Sequence, residues 1–262
     1  MYKTFLLGSM LSLLLLSHNI FANEAIASDY KKVVEGLIIK TYSSDKASTD
    51  TLVIFLHGDR CAADYMKSMA KKIAKEFDVL SIVMARPGCT LGWSKSVGRH
   101  GSKDHYTEDR IVMVESAIQA LKDHYQSRRV FIVGHSGGAA TAGIILGHNP
   151  DLLSGAMLMA FPANIPEWRI HRRGSNSWTN SLSPHDFVGD ITKSSKIMIV
   201  SGAHDVNTIP ELADDYARLA LKKGLNVEHI IIKGAGHNEL VGRKQAIAAL
   251  GKIIKTKGSG LD

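Results

Sequence analysis

The pattern of apolar and polar positions along the chain alternates between two periods. Short apolar runs recur at Thr51–Leu56, Val79–Met84, Val130–Val133, Gly155–Ala160, Lys196–Ser201 and Val227–Lys233. They are too short for helices, and most are rich in β-branched residues, so they predict strands covered on both faces. Val33–Tyr42 alternates more weakly and predicts a first strand ahead of them. Between the runs, apolar residues fall at helical spacing. Asp64–Phe77 places Met66, Met69, Ala70 and Ile73 on one face and lysines on the other. Thr107–Tyr125 follows with Thr107 at the N-cap position and Glu108 and Asp109 in the first turn. Further helices are predicted over Ala139–Gly147, over Pro210–Lys223 with Gly224 just past its end, and over Glu239–Lys255. Leu91–Tyr106 reads as a long polar loop. Phe161–Lys193 reads as irregular: it holds Pro162, Pro166, Pro184, Trp168, Trp178 and the basic residues Arg169, His171, Arg172 and Arg173. Strands that alternate with helices predict an α/β protein with a mostly parallel sheet wrapped on both sides, whose ligands bind at the carboxyl ends of the strands.

The candidate chemistry sits at those ends. Val130–Val133 runs into Gly134-His135-Ser136-Gly137-Gly138 and then a helix, which is strand, sharp turn and helix with a serine at the turn. Such a turn needs small neighbours two residues to either side of Ser136, hence Gly134 and Gly138. The N–H of Gly137 would then face an oxygen gaining charge on a substrate, with the positive end of the new helix beside it. A serine hydroxyl needs a base, and the base needs a partner to fix its tautomer. Among twelve histidines, His237 follows the last strand on a glycine-flanked loop, and Asp205 follows the strand before it in Gly202-Ala203-His204-Asp205. After the Thr51–Leu56 strand, His57-Gly58 turns the chain. The N–H of Asp59, or of Arg60, becomes the candidate second oxyanion donor, and His57 is read as a brace for that loop.

With these residues in view, the chain resembles the α/β-hydrolase superfamily from about Val33 to Lys255. The motifs that carry the resemblance are His57-Gly58-Asp59, the Gly134–Gly138 turn, Gly202–Asp205 and Gly234-Ala235-Gly236-His237, with nucleophile, acid and base in the order Ser136, Asp205, His237. In detail it is similar to the catalytic domain of prolyl-oligopeptidase-type serine peptidases and to dienelactone-hydrolase-like esterases, through Arg86-Pro87-Gly88, Ser183-Pro184 and the Ile209-Pro210 that follows Asp205. The resemblance implies an α/β-hydrolase fold with a mostly parallel eight-stranded sheet, helices on both faces and a small cap at about residues 161–193. It also implies acyl transfer by Ser136, His237 and Asp205. The departure from the peptidases is that no propeller domain precedes this one in the sequence, which turns the expectation toward esters. The superfamily's strand order makes the Thr51–Leu56 and Val79–Met84 strands neighbours, so Cys61 and Cys89, each five residues past a strand end, are expected to form a disulfide; the alternative is two free thiols. Trp168, Trp178 and His135 are candidates for lining the substrate pocket.

Composition narrows the rest. A chain of 262 residues fits one domain of this class, here residues 23–262. Met1–Ala22 has Lys3, a leucine-rich apolar stretch from Phe5 to Leu16 and a small residue at Ala22. It reads as a secretory signal cleaved near Ala22, with an uncleaved anchor as the alternative. The expected product is exported, periplasmic or secreted, without a stable membrane anchor. The formal charge of +7 comes with no run of five basic residues, so a nucleic-acid partner is not expected. No metal-ligand spacing or dinucleotide fingerprint occurs, so neither a metal nor another cofactor is implied. The sequence reading is a serine hydrolase for a small ester, with a short-peptide hydrolase or a silent binding protein on the same fold as alternatives. It leaves the oligomeric state open.

Overall fold

The computed structural model describes residues 32–100 and 104–255, so the expected signal segment, residues 1–22, lies outside the described residues. In chain order the strands are β1 (Val33–Val34), β2 (Leu37–Tyr42), β3 (Ser48–Leu56), β4 (Val79–Met84), β5 (Thr90–Leu91), β6 (Ser94–Lys95), β7 (Arg129–His135), β8 (Gly155–Met159), β9 (Lys196–Gly202) and β10 (Asn226–Ile232). The helices are α1 (Lys67–Phe77), α2 (Glu108–Tyr125), α3 (Gly137–His148), α4 (Ile165–Arg173), α5 (Pro210–Lys222) and α6 (Lys244–Lys255), with 3₁₀ turns at Asp64–Met66 and Pro184–Asp190. The main sheet has eight strands in the order β1-β2-β4-β3-β7-β8-β9-β10. From β4 to β10 the neighbours are parallel, and β2 and β1 close one edge antiparallel. This is the expected α/β architecture.

The continuous apolar runs are explained by burial on both faces. One set of alternate residues, Val53 and Phe55 on β3, Phe131 and Val133 on β7, Met157 and Met159 on β8 and Met198 and Val200 on β9, packs with Met66, Met69 and Ile73 and with Ile247, Leu250 and Ile254. α1 and α6 therefore cover this face. The intervening residues, among them Leu52, Ile54, Ile132, Leu158 and Ile199, are equally buried and point the other way. α3 packs there on β7 and β8, and α5 on β9 and β10. Among the described residues no helix is long and apolar enough to cross a membrane.

Four local expectations need correction. The first strand is a hairpin: Glu35 and Gly36 both take positive φ, 46° and 77°, and turn the chain between β1 and β2. The polar loop after Leu91 contributes β6, which pairs back on β5. The last helix begins at Lys244, five residues late, because Gly242 at φ 84° interrupts the helical path. The Phe161–Lys193 segment is not irregular throughout. Asn164 caps α4 by accepting from the Glu167 N–H at 3.2 Å, and Gly174 ends it in the left-handed region. Thr107 does occupy the N-cap of α2, though its side chain makes no capping bond.

The disulfide expectation is borne out: Cys61 and Cys89 are bonded, with Cα atoms 4.6 Å apart. The same two loops are laced by Ala63 N–H to Thr90 O at 2.8 Å and Thr90 N–H to Cys61 O at 3.0 Å. Cross-linking residues 28 apart removes denatured-state entropy equivalent to about 3–4 kcal/mol. The denaturant midpoint of the oxidised protein is therefore expected to exceed that of the Cys61→Ser/Cys89→Ser variant, with an unfolding free energy difference of about 3 kcal/mol. Coincident urea curves would remove the disulfide from any account of stability.

Candidate active site

The residues singled out at the strand ends converge. Parallel pairing puts the carboxyl ends of β3, β4, β7, β9 and β10 on one edge of the sheet, and the loops carrying Asp59, Arg86, Ser136, Asp205 and His237 leave from that edge. Ser136 sits at φ 53°, ψ −119°, a conformation that L side chains rarely adopt. The close packing around it explains the glycines. A Cβ on Gly138 would lie 2.3 Å from the Leu56 carbonyl oxygen, and one on Gly134 would lie 2.4 Å from the Gly138 oxygen. Only bare backbone lets the first turn of α3 rest on the end of β3.

Ser136 Oγ is 3.0 Å from His237 Nε2, and His237 Nδ1 is 2.8 Å from Asp205 Oδ2. The carboxylate can only accept, so Nδ1 carries the proton and Nε2 offers its lone pair to the serine hydroxyl. Asp205 is buried and held on both oxygens: Oδ1 accepts from the N–H groups of Asn207 (2.8 Å) and Thr208 (3.0 Å), and Oδ2 from the Thr208 hydroxyl at 2.7 Å. Burial opposes its ionisation, but the bonds from His237 and Thr208 outweigh burial and keep the carboxyl below its ordinary value.

The loop after β3 lies beside the serine, since a Cβ on Gly58 would be 3.1 Å from Ser136 Cβ. Gly137 opens α3, so its N–H has no intrahelical partner. The Gly58 N–H is taken by the Tyr65 hydroxyl at 2.7 Å, which leaves the next N–H, that of Asp59, as the candidate second donor. Asp59 is anchored by its side chain. Its carboxylate pairs with the buried Arg86 guanidinium and accepts from Tyr106 Oη at 2.6 Å. Burial works against this charge, yet Arg86 beside it holds the Asp59 carboxyl at about 2. His57 braces the loop as expected, with Nδ1–H donating to Gly58 O at 2.7 Å and Nε2 accepting from Arg86 N–H at 3.0 Å.

His135 does more than line a pocket. Its Nε2 is 2.8 Å from the His237 carbonyl, which can only accept, so Nε2 bears the proton. Its Nδ1, 2.9 Å from Tyr65 Oη, must then accept the Tyr65 proton. A one-way chain results, from Gly58 N–H through Tyr65 and His135 to the backbone of His237. Tyr65 was missed in the sequence because it lies among helix-forming residues with no motif around it. Asn207, within the turn after Asp205, was missed as well. Its Oδ1 accepts from Arg172 Nε at 2.8 Å, which turns its Nδ2 toward His237 Nε2, 3.1 Å away.

Above the serine is a cavity of ≈ 570 Å³ lined by Gly58, Asp59, Arg60, Tyr65, His135, Ser136, Trp168, Arg172, Arg173, Asn207 and His237, among others. Trp168 lies in its lining and donates from Nε1 to Asn207 O at 3.1 Å. Trp178 does not line it. Its indole packs against the guanidinium groups of Arg169 and Arg173, 5.4 and 4.5 Å from the ring centre. The basic patch read in the sequence is also divided. Arg169 turns inward to Asp104, Asn176, Ser181 and the Trp178 carbonyl, while Arg172 and Arg173 reach the cavity.

Residues 87–253, more than half of the chain, match the model of the prolyl oligopeptidase family. No curated protein sequence matches the chain. Solved structures with the same fold include the Pyrococcus furiosus esterase Pf2001 (16% identity, TM-score 0.65, 88% of this chain and 92% of that one). Est1E from Butyrivibrio proteoclasticus, solved with ferulic acid bound, is similar at 16% identity and a TM-score of 0.64, over 87% of this chain and 100% of that one. Proline iminopeptidase from Mycobacterium smegmatis is similar at 14% identity and a TM-score of 0.64, over 83% and 94%. The fold is that of the α/β-hydrolases.

Two buried histidines are expected to make the fold acid-sensitive. Burial, with Arg86 nearby, lowers His57 to about 3, and burial lowers His135 to about 4, both from 6.5. Below pH 6.5 the unfolded chain takes up protons that the folded chain refuses. Their contribution to stability is therefore intact above that value and is lost as the pH falls toward 4. Unfolding free energies from urea titrations between pH 8 and pH 4 are expected to decline on the acid side, with net proton uptake on unfolding; a flat profile would contradict neutral, buried imidazoles.

Proposed function

The chain belongs to the prolyl oligopeptidase family of serine hydrolases, and from that premise we propose that it is an exported hydrolase of carboxylic esters working through Ser136, His237 and Asp205. The observation that carries the reading is the unbroken hydrogen-bonded line from Ser136 Oγ through His237 to the buried Asp205 carboxylate, opening on the cavity. In the proposed reaction Ser136 Oγ attacks the substrate carbonyl as His237 Nε2 takes its proton. The resulting oxyanion is held by the N–H groups of Gly137 and Asp59. His237 returns the proton to the departing alcohol, leaving an acyl group on Ser136. Water then enters, gives its proton to Nε2 and releases the acid, and the proton returns to Ser136. Asp205 stays ionised throughout and stabilises the imidazolium.

Esters are favoured over peptides with a free amino terminus by the chemistry of the wall. A substrate ammonium needs a carboxylate, and the acidic side chain of the cavity lining, Asp59, is already paired with Arg86 and Tyr106. The peptidase reading keeps support from the family itself. No member of the Ser136, His237, Asp205 set is lost, which argues against a silent binding protein. Export is supported by the Met1–Ala22 segment and by a disulfide suited to an oxidising compartment. The mature chain is expected to begin at Asn23, as read by amino-terminal sequencing.

A fluorophosphonate probe is expected to label the mature protein on Ser136. Ser136→Ala is expected to lose labelling and about 10⁶-fold in turnover of a short 4-nitrophenyl ester. Turnover near that of the parent in this variant would overturn the mechanism. Faster cleavage of peptide anilides than of esters would overturn the substrate class.

A further inference from the structure

We infer that the preferred substrate of this site carries a carboxylate, bound at the α4 wall of the cavity by Arg172 and Arg173. The inference rests on the hydrolase reading and names its substrate class.

Arg60, Arg172 and Arg173 all line the cavity, and none of them forms a salt bridge with a described residue. Arginines elsewhere do meet carboxylates: Arg86 with Asp59, Arg128 with Asp50, Arg169 with Asp104, Arg218 with Asp215 and Arg243 with Glu239. The acidic residue of the described cavity lining, Asp59, is paired with Arg86 and Tyr106, so the buried Asp205 carboxylate behind His237 is set against three cations and the site keeps a net positive charge. A concave site with unbalanced positive charge concentrates anions.

Two of these arginines are also held in place. Arg172 Nε is fixed on Asn207 Oδ1 at 2.8 Å, so its two terminal nitrogens remain for a planar anion. Arg173 lies over the Trp178 ring, its Cζ 4.5 Å from the ring centre, a cation–π contact that restrains the guanidinium without pairing its charge. Trp168 precedes Arg172 by four residues on α4, hence on the same helix face, and supplies an aromatic wall beside the charge. The anchor is also close to the chemistry: the Asn207 side chain that holds Arg172 is 3.1 Å from His237 Nε2. A compact ester with a carboxylate at one end would therefore reach both the cations and Ser136.

Two substrate pairs that differ only in charge test this. 4-Acetoxybenzoate is compared with 4-acetoxybenzamide, placing the charge on the leaving group. The mono-4-nitrophenyl ester of suberic acid is compared with its methyl diester, placing the charge on the acyl side. In at least one pair the carboxylate is expected to have a kcat/KM higher by about 10- to 100-fold, mostly through KM. That ratio is expected to fall toward one in Arg172→Gln/Arg173→Gln and to shrink at high salt. Neutral members preferred in both pairs, or a ratio that survives the double substitution, would overturn the proposal. Fluorophosphonate labelling of the double variant shows that its serine site is still assembled.

A binding measurement separates this proposal from the hydrolase reading. Calorimetric titration of 4-hydroxybenzoate and monomethyl suberate into Ser136→Ala needs no turnover. Saturable binding of one of them that is lost with Arg172→Gln/Arg173→Gln supports the anion site even if no ester is cleaved. Absence of binding for both would overturn it even in an active esterase.

Discussion

The close approach of α3 to the end of β3 is the constraint on which the rest of the site depends. With Gly138 against the Leu56 and His57 carbonyl groups, the helix starts where the sheet stops, and Ser136 is forced into its rare backbone conformation. The strain is local and is sustained by a helix buried along nearly its whole length. From that one contact follow the exposure of Oγ toward the cavity, the free N–H of Gly137 and the nearness of the Gly58–Asp59 loop. A methyl group on either flanking glycine would push Ser136 and the candidate oxyanion donors apart.

The loop that carries the candidate second donor is restrained in three different ways. An ion pair ties the Asp59 side chain to Arg86, an imidazole ties the Gly58 carbonyl to the Arg86 N–H, and a disulfide ties Cys61 to Cys89. All three run to the loop after β4, the neighbouring strand. A buried ion pair is a weak source of net stability, because desolvation of both charges offsets their attraction. Its value here is orientation: with the side chain of Asp59 committed to Arg86, the direction of its backbone N–H is restricted. The same commitment pairs the Asp59 charge within the wall and leaves Arg60, Arg172 and Arg173 without a carboxylate partner among the described residues.

Much of this was legible in the sequence. Strand runs, helix faces and the order of Ser136, Asp205 and His237 could be read because they rest on periodicity and on short motifs at strand ends. The β1–β2 hairpin was not, since a Glu35-Gly36 turn inside a weakly alternating run leaves the apolar pattern nearly unbroken. α4 was hidden by its composition, three arginine or histidine side chains in its last turn and a proline near its start, although Asn164, Glu167 and Gly174 marked both ends. Residues acting at long range were the least legible. Tyr65 is 70 residues from His135, and Arg172 is 35 from Asn207; only the folded chain brings such pairs together.

The chain of hydrogen bonds from Gly58 through Tyr65 and His135 to His237 closes on itself, because His237 Nε2 reaches Ser136, which lies against Gly58. In mechanical terms this is a closed linkage of four segments contributed by the ends of β3, β7 and β10 and by the turn before α1. An open set of loops has as many independent coordinates as it has loops. A closed ring of short links has far fewer, so Ser136, His237 and the Gly58–Asp59 loop are constrained to shift together. Thermal motion can then displace the site as a unit without detuning the distances inside it.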